Sequence, residues 1–465
     1  MRSQFLAAAL ACAAPALMSL AVPALGAAAA AQPAGAGLTV PNVDRIETLT
    51  LDNGLTIVVW PDFDIPNVAL YNWVRAGSRN EAPGITGLAH FFEHMMFNGT
   101  SRRQPGEFDR IMEANGGANN AATNDDVTIY MDWFPRTALD VIFDLEADRL
   151  QNLAFTPSVI DSERDVVHSE RRLRVEDDNA GMLFEQVQST AFVAHPYQFP
   201  TIGWPSDIRS WSVDDLQKFF RTYYAPNNQT MVFAGAVEPE EVFALARKYL
   251  APIPRQAAPA PVRTVEPEQL GERRVSIEAD AQTPLVQFAY KGLKAADVRT
   301  PAAELLMTIL TEGDASRLHR TLVEKEKVAI AVQGYLQQGF DPGLFWVFAT
   351  VPSGADPART EQTLTRELEV VARDGVTEAE LRRARNLFAS GFWKKIGTID
   401  GKAELLGAYQ TYHGDYRKLF TAPADYEKIS VEDVRKVAAE ILRRSQRTVG
   451  TLVPKAAAAA AAGEG

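Results

Sequence analysis

A proline- and alanine-rich stretch near the middle of the chain most constrains how this sequence can fold. Residues 251–270 hold five prolines, and every residue at 257–261 is alanine or proline. This composition is typical of an extended linker rather than a core element. At 465 residues the chain is also too long for one compact core. We therefore expect two halves of similar length, at residues 45–250 and 271–454.

The two halves share an order of predicted elements. Hydrophobic periodicity in the first half predicts strands and helices at residues 49–59, 68–74, 127–133, 139–150, 157–175, 213–224 and 229–235. The second half repeats this order, and a shift of 214 positions places Gly99 on Gly313. The pattern predicts an α+β fold built from a duplicated unit.

The N-terminus differs in composition from the rest of the chain. Arg2 precedes an apolar run from Phe5 to about Val22, and small residues follow at positions 24, 26, 27 and 28. This layout is typical of a secretory signal peptide, which we place at residues 1–27 and which predicts a periplasmic or otherwise exported protein. A membrane anchor is the alternative, but Pro15 and Pro23 interrupt the run.

Other segments narrow the class of protein. Residues 27–37 and 455–465 are low in complexity, and we expect a disordered leader at residues 28–44 and a disordered tail at residues 455–465. After the signal peptide no stretch reaches the roughly 18 apolar residues of a spanning helix, so the mature chain should have no transmembrane segment. The net charge of −12 argues against nucleic acid as a partner. Cys12 is the only cysteine, so disulfides play no part in the mature fold.

The sequence His90-Phe91-Phe92-Glu93-His94 points to the chemistry. On a helix the two histidines lie one turn apart on one face, where two imidazoles can bind one tetrahedral ion. Glu93 is adjacent on that face and can reach a water on the metal. This inverted order of ligands is found in zinc peptidases. A surface helix with two unrelated histidines is the alternative, but with six histidines in the chain a chance match is rare.

A catalytic zinc site needs a third protein ligand besides the two histidines. Glu163 and Glu170 lie seven residues apart on the predicted helix at 157–175, so both project from the same face. His168 points elsewhere on that helix. Spacing alone leaves open whether the two glutamates bind metal or belong to a solvated acidic face.

Four stretches resemble the pitrilysin family of metallopeptidases, which includes insulin-degrading enzyme and the mitochondrial processing peptidase. They are the active-site helix with its flanks, a Gly-Gly-x-x-Asn-Ala-x-Thr segment, a helix with a metal-binding glutamate, and the element closing the first half, at residues 87–100, 116–123, 163–170 and 223–235. The resemblance extends over residues 45–453 and is more specific in the first half. It implies a shell of two homologous halves, each of mixed sheet plus helices.

The resemblance also implies roles for individual residues. It makes Glu170 the third ligand, beside His90 and His94, of one Zn²⁺ per chain. It makes Glu93 the general base, places Glu163 in support of the site, and gives Asn120 a contact with the substrate backbone. In the second half Glu304, Met307 and Thr308 stand where the first half has His90, Glu93 and His94, so only one metal per chain is expected.

The second half departs from the family at one further point. There the resemblance leads us to expect an arginine and a tyrosine seven residues apart, which bind substrate and stabilise developing charge. The matching positions hold Val323 and Ile330, although a slipped alignment would bring in Arg320 or Tyr335. We therefore expect a heterodimer with a zinc-free homologous subunit that carries the Arg/Tyr pair.

Together these features predict a zinc metalloendopeptidase that hydrolyses peptides or unfolded polypeptides with a glutamate general base. Two alternatives belong to other classes. A structural or assembly subunit without turnover would have no need of Glu93, and a structural zinc site would close with four protein ligands.

Overall fold

The computed structural model describes Val40 and residues 42–455. The predicted signal peptide, most of the leader and nearly all of the tail lie outside the described residues. Within them, none of the helices combines the length and apolar character needed to span a membrane.

A six-stranded sheet forms the centre of the first half, with strand order β1-β2-β6-β3-β5-β4. Its strands are β1 (Glu47–Thr50), β2 (Thr56–Pro61), β3 (Asn67–Val74), β4 (Ala118–Thr123), β5 (Thr128–Pro135) and β6 (Gln229–Gly235). The pair β2–β6 is parallel and the other pairs are antiparallel. Gly54 turns the chain between β1 and β2 with a φ of 90°, as the Asn53-Gly54 signal predicts.

The helices of the first half are α1 (Leu88–Met95), α2 (Glu107–Ala114), α3 (Leu139–Asn152), α4 (Pro157–Arg171), α5 (Asn179–Ala191), α6 (Pro205–Ser210), α7 (Val213–Tyr223) and α8 (Pro239–Tyr249). A π-helical turn at Arg172–Glu176 follows α4 directly. All but α5 lie on one face of the sheet, and together they enclose the largest apolar core. Of these helices, α2, α5, α6 and α8 were not among the elements expected from the sequence.

The second half repeats the topology of the first. Its sheet has the order β7-β11-β8-β10-β9, which matches β2-β6-β3-β5-β4 strand for strand, and its β11–β7 pair is likewise parallel. The strands are β7 (Arg273–Ala279), β8 (Leu285–Lys291), β9 (Ala331–Leu336), β10 (Leu344–Thr350) and β11 (Arg447–Pro454). The helices are α9 (Thr300–Thr311), α10 (Pro357–Asp374), α11 (Glu378–Ile396), α12 (Ile399–His413), α13 (Ala422–Lys428) and α14 (Val431–Ile441). The α+β class with two homologous halves is confirmed.

Each half contributes one helix that packs on the sheet of the other half. Helix α12 packs on the first sheet, where Tyr71 Oη and Trp133 Nε1 each donate a 2.6 Å hydrogen bond to Asp400. Helix α5 packs on the second sheet, and Arg273 and Lys291 donate to its last carbonyls. Cations at a helix C-terminus satisfy the unpaired carbonyls and oppose the helix dipole. The two halves therefore contact each other on both sheets, in each case on the face covered by the helix from the other half.

The chain between α8 and β7 forms neither helix nor strand, but it is not without contacts. Glu266 accepts hydrogen bonds from the amides of Val193, Ala194 and His195 at 3.0 Å each, and Lys291 lies 3.3 Å away. The division of the chain at residues 251–270 remains a proposal.

Candidate metal centre

The start of α1 is fixed by the buried carboxylate of Glu81 and by the close approach of Gly87 to Gly203 on another loop. Glu81 accepts hydrogen bonds from the backbone N–H groups of Gly87 and Ala89, both at 2.7 Å. These are amides of the first turn, which have no partner within the helix. Gly87 has a φ of 87°, and a Cβ there would lie 2.6 Å from the carbonyl oxygen of Ile202. Only glycine lets the two loops approach this closely.

The apolar side of α1 sets which way its polar residues point. Leu88, Phe91, Phe92 and Met95 are almost fully buried in the first core, and Phe92 stacks on Phe219 with a centroid distance of 5.5 Å. With four large side chains buried, rotation of the helix about its axis would expose apolar surface. His90, Glu93 and His94 are thereby held toward α4 and β4.

Helix α4 brings Glu170 to the two histidines. Its Oε2 lies 3.5 Å from His90 Nε2 and 3.2 Å from His94 Nε2. These residues form a group whose potential ligand atoms all lie within 4.8 Å of one another. The Oε2 atom is buried and faces both rings. Two imidazoles and one carboxylate that converge in this way fit a zinc ion with an open fourth position.

The surroundings of the cluster favour positive charge. Burial disfavours a charged His94 imidazole, but hydrogen bonds and charges from Glu163 and Glu170 outweigh it and raise its pKa to about 10. Burial also opposes ionisation of Glu170, yet His90 and His94 hold the pKa of that carboxyl well below its usual range. A divalent cation would take the place of the imidazole proton in this field.

Glu163 and Arg174 contact this cluster from the side away from the candidate metal position. Glu163 Oε1 lies 2.7 Å from His94 Nδ1, and its Oε2 accepts a 2.7 Å hydrogen bond from Asn98 Nδ2. Arg174, on the π-helical turn, places Nη2 3.0 Å from the second oxygen of Glu170. Glu163 and Glu170 thus lie on one face of α4, as their spacing predicts, but they touch the histidines at different atoms. Partners of this kind fix the imidazole tautomer and its basicity.

Glu93 is held by the strand beside it. Thr123 Oγ1, at the end of β4, donates a 2.6 Å hydrogen bond to Glu93 Oε2. Thr123 is buried and lies 3.2 Å from the hydroxyl of Thr128, which donates to the carbonyl of Ala76. Sequence reasoning identified the segment that contains Thr123 but gave this residue no role. Glu81 and Asn98 were also missed, because neither lies in a ligand pattern.

Strand β4 is one of the two edge strands of the first sheet and carries Asn120. In the register with β5, Asn120 pairs with Met131 and Thr123 pairs with Thr128. Side chains alternate along a strand, so Asn120 projects from the face opposite to Thr123. The site therefore brings Asn120 to the same edge as Glu93 but not to the same face.

Among the residues that the structure describes, the corresponding part of the second half holds no such ligand set. On α9, Glu304 accepts a hydrogen bond from Gln338, and Thr308 Oγ1 donates to the Glu304 carbonyl at 3.0 Å. Val323 packs against the second core, and Ile330 is 56% exposed. Neither side chain can donate a hydrogen bond. Tyr335 instead stacks with Trp346 at a centroid distance of 6.3 Å.

Comparison with known proteins assigns the family. The family model described as insulinase (peptidase family M16) matches residues 63–203, and the one described as peptidase M16 inactive domain matches residues 210–388. The chain is 31% identical over 422 residues to the zinc protease PqqE of Helicobacter pylori, an alignment that covers 88% of this chain and 93% of that protein. The chain belongs to peptidase family M16.

Other M16 relatives agree over most of the chain. A probable mitochondrial-processing peptidase subunit beta of Arabidopsis thaliana is 26% identical and covers 87% of this chain and 78% of its own. The crystal structure of a protease from Helicobacter pylori is similar, with a TM-score of 0.85 and 29% identity over 88% of this chain and 99% of that one. The cluster of His90, His94 and Glu170 lies wholly within the first M16 match.

Proposed function

We propose that this M16 protein is a zinc metalloendopeptidase whose metal is held by His90, His94 and Glu170. The observation that carries the proposal is the convergence of these three side chains beside a carboxylate, Glu93, that is held in place by Thr123. Zinc bound there would supply a Lewis acid that lowers the pKa of water and polarises a carbonyl. Relatives named zinc proteases support this choice of metal.

Glu93 is the general base in this proposal. Thr123 holds Oε2, so we assign Oε1 to the proton transfer. Glu93 removes a proton from the attacking water and later delivers it to the leaving amine. The site suits proton transfer because the hydroxyl of Thr123 fixes the carboxylate without neutralising it. A purely structural or assembly subunit would have no use for a base positioned in this way.

Peptide substrates bind along the edge of β4. The amide of Asn124 donates to the carbonyl of Val127, which closes the β4–β5 hairpin with a hydrogen-bonded pair. Such pairs alternate in an antiparallel ladder, so the backbone groups of residues 119, 121 and 123 face outward. An extended peptide added there would be recognised through its backbone, which suits unfolded polypeptides. Asn120, between these positions, is the side chain assigned to substrate contact.

The active form is a heterodimer in this proposal. The aliphatic residues Val323 and Ile330 leave the second half without the Arg/Tyr pair that the family resemblance implies. Removal of one charge-stabilising donor typically lowers the rate by about 10² to 10³. A zinc-free M16 homologue that carries the pair would supply it from outside this chain.

Export to the periplasm is proposed from the composition of residues 1–27. The structure does not describe these residues, so the proposal rests on the sequence. N-terminal sequencing of mature protein from the native host should begin within a residue or two of Ala27. A mature chain that retains Met1 would contradict export by cleavage.

Release of an internally quenched peptide tests the proposed function. The chain alone should bind zinc and cleave poorly, and addition of the zinc-free homologue from the same organism should raise the rate. Chelation should abolish cleavage and added zinc should restore it. Full activity from a strictly monomeric or homodimeric preparation would contradict the heterodimer, and chelator-resistant or absent cleavage in the assembled pair would contradict the peptidase.

A further inference from the structure

The hairpin turns of the two halves meet beside the candidate site. The β4–β5 turn follows Thr123, and the corresponding β9–β10 turn spans residues 337–343. Gln337 Nε2 donates to Asp125 Oδ2 at 2.5 Å, and the backbone amide of Phe340 donates to Asp126 Oδ2 at 2.9 Å. The second half thus contacts the segment that ends the substrate-binding edge.

Asp126 is the centre of this contact. It is 2% exposed and, besides Phe340, accepts from Arg79 Nη1 at 3.2 Å and from Tyr197 Oη at 2.8 and 3.0 Å. Arg79 follows β3 and Tyr197 follows α5, so one carboxylate joins four separate segments of the chain. Hydrogen bonds to a buried charged group are among the stronger ones in proteins.

Asp341 and Gly339, both in the β9–β10 turn, add further contacts around Asp126 and Tyr197. Asp341 pairs with Arg79 and lies 3.2 Å from His195 Nε2, and its amide donates to Tyr197 Oη at 3.2 Å. Gly339 has no room for a side chain, because a Cβ there would lie 2.3 Å from Tyr197 Oη and 2.5 Å from Asp126 Oδ2. The β9–β10 turn therefore fits closely around the tyrosine and the carboxylate.

The turn is coupled to the general base through a short path. Asn124 Oδ1 accepts from the amides of Asp126 and Val127, at 2.8 and 2.9 Å, so the turn is rigid. Three residues before Asp126 stands Thr123, whose hydroxyl holds Glu93 at 2.6 Å. A shift of the turn would move both the outward backbone groups of β4 and the partner of Glu93.

We propose that Asp126 is a positioning residue through which the second half fixes the β4 edge and the Thr123–Glu93 contact. The inference rests on the proposed function, because it gives β4 the role of substrate-binding edge. It assigns the second half a part in the reaction within this chain, apart from any contribution by a partner subunit.

Hydrogen exchange and kinetics test this role with a matched control. Asp126→Asn keeps the shape but turns an amide donor toward either the Arg79 guanidinium or the backbone N–H of Phe340. Asp62→Asn breaks another buried contact between the halves, the pair Asp62–Lys402, at the opposite end of the same sheet. In the metal-loaded full chain, Asp126→Asn should speed exchange of the amides within residues 118–123 that bond to β5 by about tenfold or more. Asp62→Asn should leave this segment unchanged.

The kinetic arm uses the assembly that cleaves the quenched peptide. For Asp126→Asn we expect KM to rise by about tenfold or more because the edge is less ordered. Tyr197→Phe, which removes one donor and keeps the ring, should show smaller changes in both measurements. If Asp126→Asn folds poorly, the exchange and kinetic measurements on Tyr197→Phe test the positioning role instead.

Equal exchange of residues 118–123 in the Asp126, Asp62 and unsubstituted proteins would overturn the positioning role, as would an unchanged KM. The exchange measurement needs no turnover. Loss of exchange protection in a protein that never cleaves peptide would therefore contradict the proposed function and leave the positioning of β4 supported.

Discussion

The Nδ1 atom of His94 lies 2.7 Å from Oε1 of Glu163 on the neighbouring helix. This contact directs Nε2 toward Glu170 and fixes the imidazole tautomer. Glu163→Ala should therefore lower zinc affinity by about 10- to 100-fold without abolishing binding. Competition with a chromophoric chelator measures the change, and Asp165→Ala on the exposed side of the same helix is the control. Unchanged affinity in the Glu163 variant would remove this residue from the site.

Loss of a ligand should have a larger effect than loss of its support. Elemental analysis should find about one zinc per chain in the unsubstituted protein and little in Glu170→Ala, because two histidines alone form an incomplete site. His168→Ala, two residues away on the same helix, should retain its zinc. Full occupancy in Glu170→Ala would redirect the assignment to His168 or Glu163.

Glu93 should be needed for turnover but not for metal. Glu93→Gln keeps the shape of the side chain and cannot accept the proton, so turnover should fall by roughly 10² or more while zinc remains bound. Steady-state cleavage and elemental analysis of one preparation decide both points. Turnover close to that of the unsubstituted protein would exclude the proposed base.

Thr123 should affect the same step through its hydroxyl. Thr123→Val removes the 2.6 Å hydrogen bond to Glu93 and preserves the side-chain shape, so kcat should fall by about tenfold. Thr123→Ser retains the hydroxyl and should stay close to the unsubstituted rate. Equal rates in the valine and serine variants would show that the hydroxyl does not position Glu93.

Stability should depend on pH through Asp125. Burial and the neighbouring Asp126 raise its pKa to about 6, above the value of about 3.9 in an unfolded chain. The folded state therefore favours the protonated form, and the free energy of unfolding should decrease as pH rises from about 4 through 6, by at most about 3 kcal/mol. Asp125→Asn cannot ionise, so its stability relative to the unsubstituted protein should be higher at pH 8 than at pH 5. Urea unfolding at both pH values measures this, and an equal difference at the two would contradict it.

The elements that were predicted from the sequence are those with a local pattern. Helix α1 follows from its ligand spacing and apolar neighbours, and α4 begins at Pro157 as expected. Helix α12 has no apolar stripe on one side, because it is buried between the first sheet and the rest of the second half. Helix α5 does bury Leu183 and Val187 at helical spacing, but the sheet that covers them belongs to the other half.

The site shows the same limit. The positions of His90 and His94 follow from helix geometry, whereas spacing alone could not separate Glu163 from Glu170. The structure separates them by the imidazole atoms they approach. Thr123 holds Glu93 across a gap of 30 residues in sequence, and no periodicity within either segment encodes such a contact.

The exchange of helices between the halves sets an order of events during synthesis. Trp60, Tyr71 and Trp73 lie on the face of the first sheet that α12 covers, and α12 is not complete until His413 has left the ribosome. Until then these aromatic residues of the nascent chain would be exposed to solvent, and exposed apolar surface promotes aggregation. We expect the first half expressed alone to depend on chaperones. Division of the chain at residues 251–270 should therefore leave this face of the first fragment exposed until the second fragment binds.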